Sequence, residues 1–244
     1  PIQKEIELKN VCFGYNEVSI LHNISLTIKK NESVAFVGES GSGKTTLLNV
    51  ISGLLSPTQG NLFIDETDAK TINIATYQER IGYITQEPVI FDDTIYNNVT
   101  LWSPKTEQNI RKFQTAIEHA NLSQLIEKSP EKENMQVGSN GVSLSGGQKQ
   151  RITIARELFK EVDLLFLDEA TSALDSETEN IIQQNIEQLK GKYTMITIAH
   201  RLATIKNVDR IFVLDKGNIV DAGTYEELLE RSENFKRMVS YQKV

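Results

Sequence analysis

The sequence predicts an α/β fold, a mixed and largely parallel sheet flanked by helices, with an N-terminal antiparallel β subdomain and an inserted α-helical subdomain. Three observations carry this. The run Ser33-Val34-Ala35-Phe36-Val37 is followed by a glycine-rich turn and then by the helix-spaced run Leu47-Leu48-Asn49-Val50-Ile51, the pattern of a buried strand feeding a helix. Residues Ile6 to Phe13 and Ile20 to Ile28 alternate apolar and polar, as antiparallel strands with one wet face do. From Val89 to Asn134 there is no strong strand, and apolar residues recur at helical spacing at 110, 113, 117, 122, 125 and 126. A chain of 244 residues suits one large domain or a core with a subdomain. The core is expected over residues 1–86 and 156–244 and the helical insertion over 87–155.

The remaining elements follow in order. Ser56-Pro57-Thr58-Gln59-Gly60 reads as a turn before a short strand, Asn61 to Asp65, and Ile81 to Thr85 reads as another strand. Helices are expected from Thr106 to His119 and from Leu122 to Lys128, then a charged loop at residues 130–134. Ser145 is placed as the N-cap of a helix over Lys149 to Phe159. Asp163 to Glu169 is a buried strand ending in two carboxylates, Thr171 to Asp175 a turn, and Glu177 to about Leu189 a helix. The strand Thr194 to Ala199 ends at His200-Arg201. A hairpin, Arg210 to Leu214 and Ile219 to Ala222, precedes an amphipathic helix, Tyr225 to Glu230, and a polar tail.

Composition narrows the function classes. A net charge of −7 argues against a nucleic-acid partner, which ordinarily meets a basic face. One cysteine, Cys12, excludes an internal disulfide framework, and no Cys/His cluster has zinc spacing. No run of about 18 apolar residues occurs, and no basic-then-apolar leader. The chain therefore reads as a soluble polypeptide, and its opening at Pro1 without Met suits a piece of something longer as well as it suits processing.

The most informative stretch is Gly38-Glu39-Ser40-Gly41-Ser42-Gly43-Lys44-Thr45-Thr46. On a strand-to-helix turn, glycines at 38, 41 and 43 let consecutive N–H groups point inward toward a polyphosphate at the helix's positive end. Lys44 can then reach β- and γ-phosphates, and the Thr45 hydroxyl can ligate Mg²⁺. Val142-Ser143-Leu144-Ser145-Gly146-Gly147-Gln148 opens a second helix whose first N–H groups suit an anion. Two such ends imply two ligands, or one gripped from two sides. Asp168 and Glu169, at the end of an apolar strand, suit Mg²⁺ and the polarisation of an attacking water. Three further residues are ambiguous alone: Tyr15 stacks on a purine or closes a hairpin, Gln86 is a ligand-facing strand end or an ordinary loop residue, and His200 contacts a γ-phosphate or lies on the surface.

Taken in this order, the pieces resemble the ATP-binding-cassette family over nearly the whole chain. Tyr15 falls where the family has its adenine-stacking aromatic, residues 38 to 46 match its phosphate loop, and Gln86 matches its Q-loop glutamine. Leu144-Ser145-Gly146-Gly147-Gln148 resembles the family signature, Leu164 to Glu169 the Mg²⁺-binding strand with its catalytic glutamate, Ser172-Ala173-Leu174-Asp175 the D-loop, and His200 the switch histidine. The runs Gly146 to Arg151, Asp168 to Asp175 and Ile198 to Leu202 look like those of exporters. One departure is that Val137-Gly138 is followed by Ser139-Asn140, where exporters usually carry an acidic residue in a loop that contacts the membrane domain.

The resemblance implies an ATPase that uses ATP and Mg²⁺. It implies a head-to-tail pair in which ATP on the phosphate loop of one copy meets Ser145, Gly146, Gly147, Gln148 and Asp175 of the other. Glu169, His200, Gln86 and Lys44 are the implied catalytic residues, and Thr45, Gln86 and, through water, Asp168 the implied metal site. It also implies a transmembrane domain as partner, N-terminal in the same polypeptide, and a place at the cytoplasmic face of a membrane. Two other classes compete. A soluble cassette acting on nucleic acid or ribosomes tends to have tandem cassettes or a coiled-coil insertion, which this chain lacks, and a regulatory module without turnover fits poorly with both Glu169 and His200.

Overall fold

The computed structural model describes residues 2–16, 18–85, 88–139, 144–168, 183–198 and 204–241, the side chains of Asp168 and Tyr241 excepted. By internal contact, the chain divides into two compact units, one of residues 1–81, 163–167 and 190–244, the other of residues 82–162 and 168–189.

The first unit holds two sheets. In the antiparallel one, β1 (Glu5–Tyr15) lies between β2 (Val18–Lys29) and β4 (Gln59–Ile64), with β5 (Thr67–Asp68) at the edge. Ile6 pairs with Ile28 and Leu8 with Leu26, so the alternating apolar residues share a face. The apolar phase breaks between Leu8 and Val11, and the ladder breaks there too. Asn10 takes a left-handed backbone, φ 49°, within a register shift. This bulge inserts a residue and returns Val11 and Phe13 to the buried face. The expected antiparallel subdomain is present, and β4 occupies the strand read as Asn61 to Asp65.

The second sheet runs in the order β12-β11-β3-β10-β9, from β3 (Ser33–Val37), β9 (Leu164–Asp168), β10 (Thr194–Ile198), β11 (Arg210–Asp215) and β12 (Asn218–Gly223). β3 is parallel to β10 and β11, while β12 turns back antiparallel to β11. All five residues of β3 and all five of β10 are buried, which is why these strands read as continuous apolar runs. β6 (Ile81–Ile84) starts at the last residue of this unit's first segment.

The polar tail expected after Glu230 is instead helical. Tyr225–Arg231 is followed by a second helix, Glu233–Tyr241. Phe235 and Val239, one turn apart, join Leu228, Ala35, Val37, Ile211 and Val213 in one core cluster, and Phe235 meets Tyr225 edge-on at 5.5 Å. Phe235, Met238 and Val239 in a charged stretch are a weak sequence signal, yet they supply a docking face once a sheet is there to receive it.

In the second unit, α6 (Gly146–Phe159) packs against α3 (Ile95–Thr100) and α4 (Glu107–His119). α5 (Ser123–Glu127) and a two-residue ladder of β7 (Asp93–Thr94) with β8 (Gln136–Val137) complete its described part. α3 and the small ladder go beyond the sequence reading. Residues 183–187 are also helical, inside the helix expected over Glu177 to Leu189.

In the first unit, Arg80 Nε and an Arg80 terminal nitrogen bond the two Asp163 carboxylate oxygens at 3.0 and 2.9 Å, and the Ile2 amide donates to the same carboxylate at 3.0 Å. Burial pushes this carboxyl up, but the Arg80 and Ile2 bonds outweigh it and hold the pKa below the ordinary value. A depressed carboxylate contributes stability that is full above the unfolded value of about 3.9 and is lost as pH falls through the folded value. Asp163→Asn should therefore lower unfolding free energy at pH 7 by about 1–3 kcal/mol. In urea melts run at descending pH, the gap from wild type should close only below the ordinary aspartate range.

Candidate functional site

The glycine loop leaves β3 at its carboxyl end, the edge at which α/β sheets present ligands. Its path is constrained from both sides. A Cβ on Gly38 would come within 2.3 Å of the Leu214 carbonyl oxygen of β11, so only glycine fits. The Ser42 amide donates to Glu39 O at 3.1 Å, and Gly217 of the β11–β12 turn donates to Ser42 O at 3.0 Å. Gly217 O in turn accepts from the His22 amide at 2.8 Å. The loop is thus pinned to β2 and to the closing hairpin, neither of which the sequence reading connected to it.

Gly41 and Gly43 have φ of 80° and 100°, the left-handed region that side chains disfavour. Gly43 is the N-cap of α1 (Lys44–Ile51), with no side-chain cap bond and no acidic residue in the first turn. The positive end of α1 is therefore available to an anion. Lys44 is 5% exposed, and its ammonium donates to the carbonyls of Gly38 and Glu39 at 2.7 and 3.0 Å. That holds a cation inside the curl of the loop. Ser42 Oγ is buried with no hydrogen-bond partner among the described residues. An enclosed ammonium, an orphaned hydroxyl and a bare helix end fit a triphosphate. Thr45 is exposed on the first turn of α1, where its hydroxyl oxygen is a hard donor of the kind Mg²⁺ takes.

Tyr15 ends β1, is 49% exposed and meets Phe13 edge-on at 5.0 Å. Phe13 packs against the ring while about half of the residue's surface stays accessible. Glu39 and Ser40 are exposed.

In the second unit, Ser145 caps α6 as expected, and the cap is reciprocal. Ser145 Oγ accepts from the Gln148 amide at 3.2 Å, and Gln148 Oε1 accepts from the Ser145 amide at 2.8 Å. Ser-x-x-Gln is the sequence form of this box. In this box the Ser145 hydroxyl acts as an acceptor, and Ser145 and Gly146 are exposed while Gly147 is buried. Arg151 reaches back to Gly147 O at 3.3 Å and across to Asn121 O at 3.2 Å, and Gln150 donates to Thr85 O at 3.1 Å. Both act within this unit, and both lie in the exporter-like run Gly146 to Arg151, which assigned neither of them a role. Gln86, Glu169, Asp175 and His200 lie outside the described residues.

A fully buried parallel strand that turns through glycines into a bare helix end, with a lysine sealed into the turn, defines a phosphate-loop nucleotide-binding domain. Comparison with known proteins gives the family. Residues 21–172, more than half of the chain, match the family model described as ABC transporter, and the chain belongs to that family as an ATPase domain. It is 42% identical over 237 residues to an ATP-dependent lipid A-core flippase of Syntrophus aciditrophicus (strain SB), covering 97% of this chain and 39% of the relative. It is 40% identical over 253 residues to the leptomycin B resistance protein pmd1 of Schizosaccharomyces pombe, covering all of this chain and 19% of that protein. Among solved structures, a bacterial Atm1-family ABC exporter with ATP bound superposes with a TM-score of 0.83 at 34% identity, over 99% of this chain and 42% of that one. The chain thus spans well under half the length of these relatives.

Gly38→Ala tests the loop directly. Because the contact it creates is with a backbone carbonyl, ATP affinity measured by calorimetry should fall at least about tenfold. An unchanged affinity would show that the loop has room this geometry denies it.

Proposed function

We propose that this chain is the ATP-hydrolysing domain of an ABC exporter, working as a head-to-tail pair around two ATP molecules at the cytoplasmic face of a membrane. The observation that carries the reading is the presence, in one chain, of two helix ends prepared for anions in different ways. One has a lysine and an orphaned serine hydroxyl, the other an exposed capping serine. A single triphosphate needs only the first. A second copy supplies the other, so ATP on the Lys44 loop is closed over by Ser145, Gly146, Gly147, Gln148 and Asp175 of the partner copy.

In this arrangement Tyr15 stacks on the adenine and residues 38 to 46 cradle the phosphates. Thr45, Gln86 and, through water, Asp168 would hold Mg²⁺, which supplies charge neutralisation on the phosphate oxygens. Glu169 takes the proton of the attacking water, and His200 orients it toward the γ-phosphate for in-line displacement. Cleavage removes the group that both copies grip, and the pair opens. Gln86 and the segment from Val89 to Asn98 carry that movement to a transmembrane domain, placed N-terminal in the same polypeptide. The share of the relatives' length that this chain leaves uncovered has room for such a domain. Among the described residues no helix is long and apolar enough to cross a membrane, so the membrane path and the choice of cargo belong to that domain.

Glu169→Gln keeps size and polarity but removes the base. ATP should still bind, phosphate release should fall by about 10²-fold or more, and a dimer should accumulate on gel filtration with ATP. Turnover at the wild-type rate would remove Glu169 from its role.

A further inference from the structure

Besides presenting Ser145, α6 sends side chains to the backbone of the segments that precede it. Gln150 Nε2 donates to Thr85 O, and Glu157 Oε2 accepts from the Tyr83 amide at 3.2 Å. Near its other end, Arg156 Nε donates to Asn98 O at 2.7 Å, with a terminal nitrogen 3.4 Å from Asn98 Oδ1. Arg156 is only 7% exposed and Asn98 is wholly buried. A buried guanidinium is costly unless its surroundings are built for it.

They are. Asn98 Nδ2 donates to the carbonyls of Phe91 and Thr94 at 2.9 and 3.0 Å, and Asn98 Oδ1 accepts from the Phe91 amide at 2.8 Å. This side chain knits residues 91–94 to α3. The guanidinium carbon lies 5.0 Å from the centre of the Phe91 ring, and that ring lies 5.0 Å from the ring of Trp102. Trp102 is 52% exposed and is tethered by Nε1 to Asp93 Oδ2 at 2.8 Å. Its backbone is left-handed, φ 61°, a conformation that a bulky residue holds only when neighbours enforce it. A continuous line of contact, Arg156 to Phe91 to Trp102 with the two rings tilted by 56°, therefore joins the last turn of α6 to the protein surface.

We propose that Arg156 is a positioning residue of the ATPase cycle, which passes displacement of α6 to the surface at Trp102 through the Phe91 ring and the Asn98 brace. The proposal rests on the closure of Ser145 over a partner's nucleotide, the event that would displace α6. Lysine cannot replace arginine here, since it offers neither a planar face to Phe91 nor a fixed fork toward Asn98.

The chain contains one tryptophan, so emission excited at wavelengths longer than tyrosine absorbs reports this site alone. Emission of the 244-residue chain should change on addition of a non-hydrolysable ATP analogue with Mg²⁺. In Arg156→Lys the amplitude should drop about fivefold, while analogue affinity, read by displacement of a fluorescent nucleotide, stays within about twofold. A merely structural arginine would alter both or neither. Phe91→Leu removes the ring between Arg156 and Trp102 while keeping the guanidinium itself and should give the same loss. If Arg156→Lys does not fold, that variant decides. Full amplitude in either folded variant, or no emission change in nucleotide-loaded wild type, overturns the proposal. Wild type that binds no nucleotide would instead refute the ATPase reading on which it stands.

Discussion

Everything at the phosphate loop depends on the burial of β3. All five of its residues are inaccessible and it has parallel neighbours on both sides, so the strand cannot slide or twist. The chain must leave it at one point, against the Leu214 carbonyl, where only glycine can pass. From there the bonds from Gly217 and within Glu39 to Ser42 fix the curl, and Lys44 is sealed inside it by two carbonyls. A preorganised cradle of this kind loses little on reorganisation when an anion arrives. Hydrophobic burial in the sheet thus becomes placement of donors in the loop.

The second unit uses a different device. There the anion-ready end belongs to a long helix anchored along its length by polar side chains, each bonded to backbone. Ser145 and Gln148 lock the first turn, Gln150 and Glu157 hold the end of β6, and Arg156 holds α3 and the loop before it. Directional bonds of this sort transmit a displacement, whereas a greasy contact can slip.

The sequence made the site more legible than its supports. The loop, the capping serine and the buried strands announce themselves through glycine spacing, cap chemistry and β-branched runs, and each lies where it was expected. The signals fail where tertiary context decides. Glu233–Tyr241 reads as a tail because its helix is justified only by the sheet under Phe235 and Val239. α3 is short and rich in asparagine, and its order comes from the Asn98 side chain bonding its own approach loop. Arg156 looks like any charged helical residue, since nothing local says that its face is covered. The bulge at Asn10 falls inside a run read as simple alternation, and only the pairing shows that the step from Leu8 to Val11 takes an extra residue.

The central claim is that one nucleotide is enclosed by two copies, and complementation tests it most directly. Lys44→Ala removes the cation from one wall, and Ser145→Asp spoils the other while keeping a good helix cap. Each variant alone should be inactive. Mixed one to one and isolated as a heterodimer through two affinity tags, they rebuild one intact composite site, and phosphate release should return to about half the wild-type rate or less, well above either parent. A heterodimer as inactive as its parents would mean that Lys44 and Ser145 serve the same copy, and the shared-nucleotide account would be wrong.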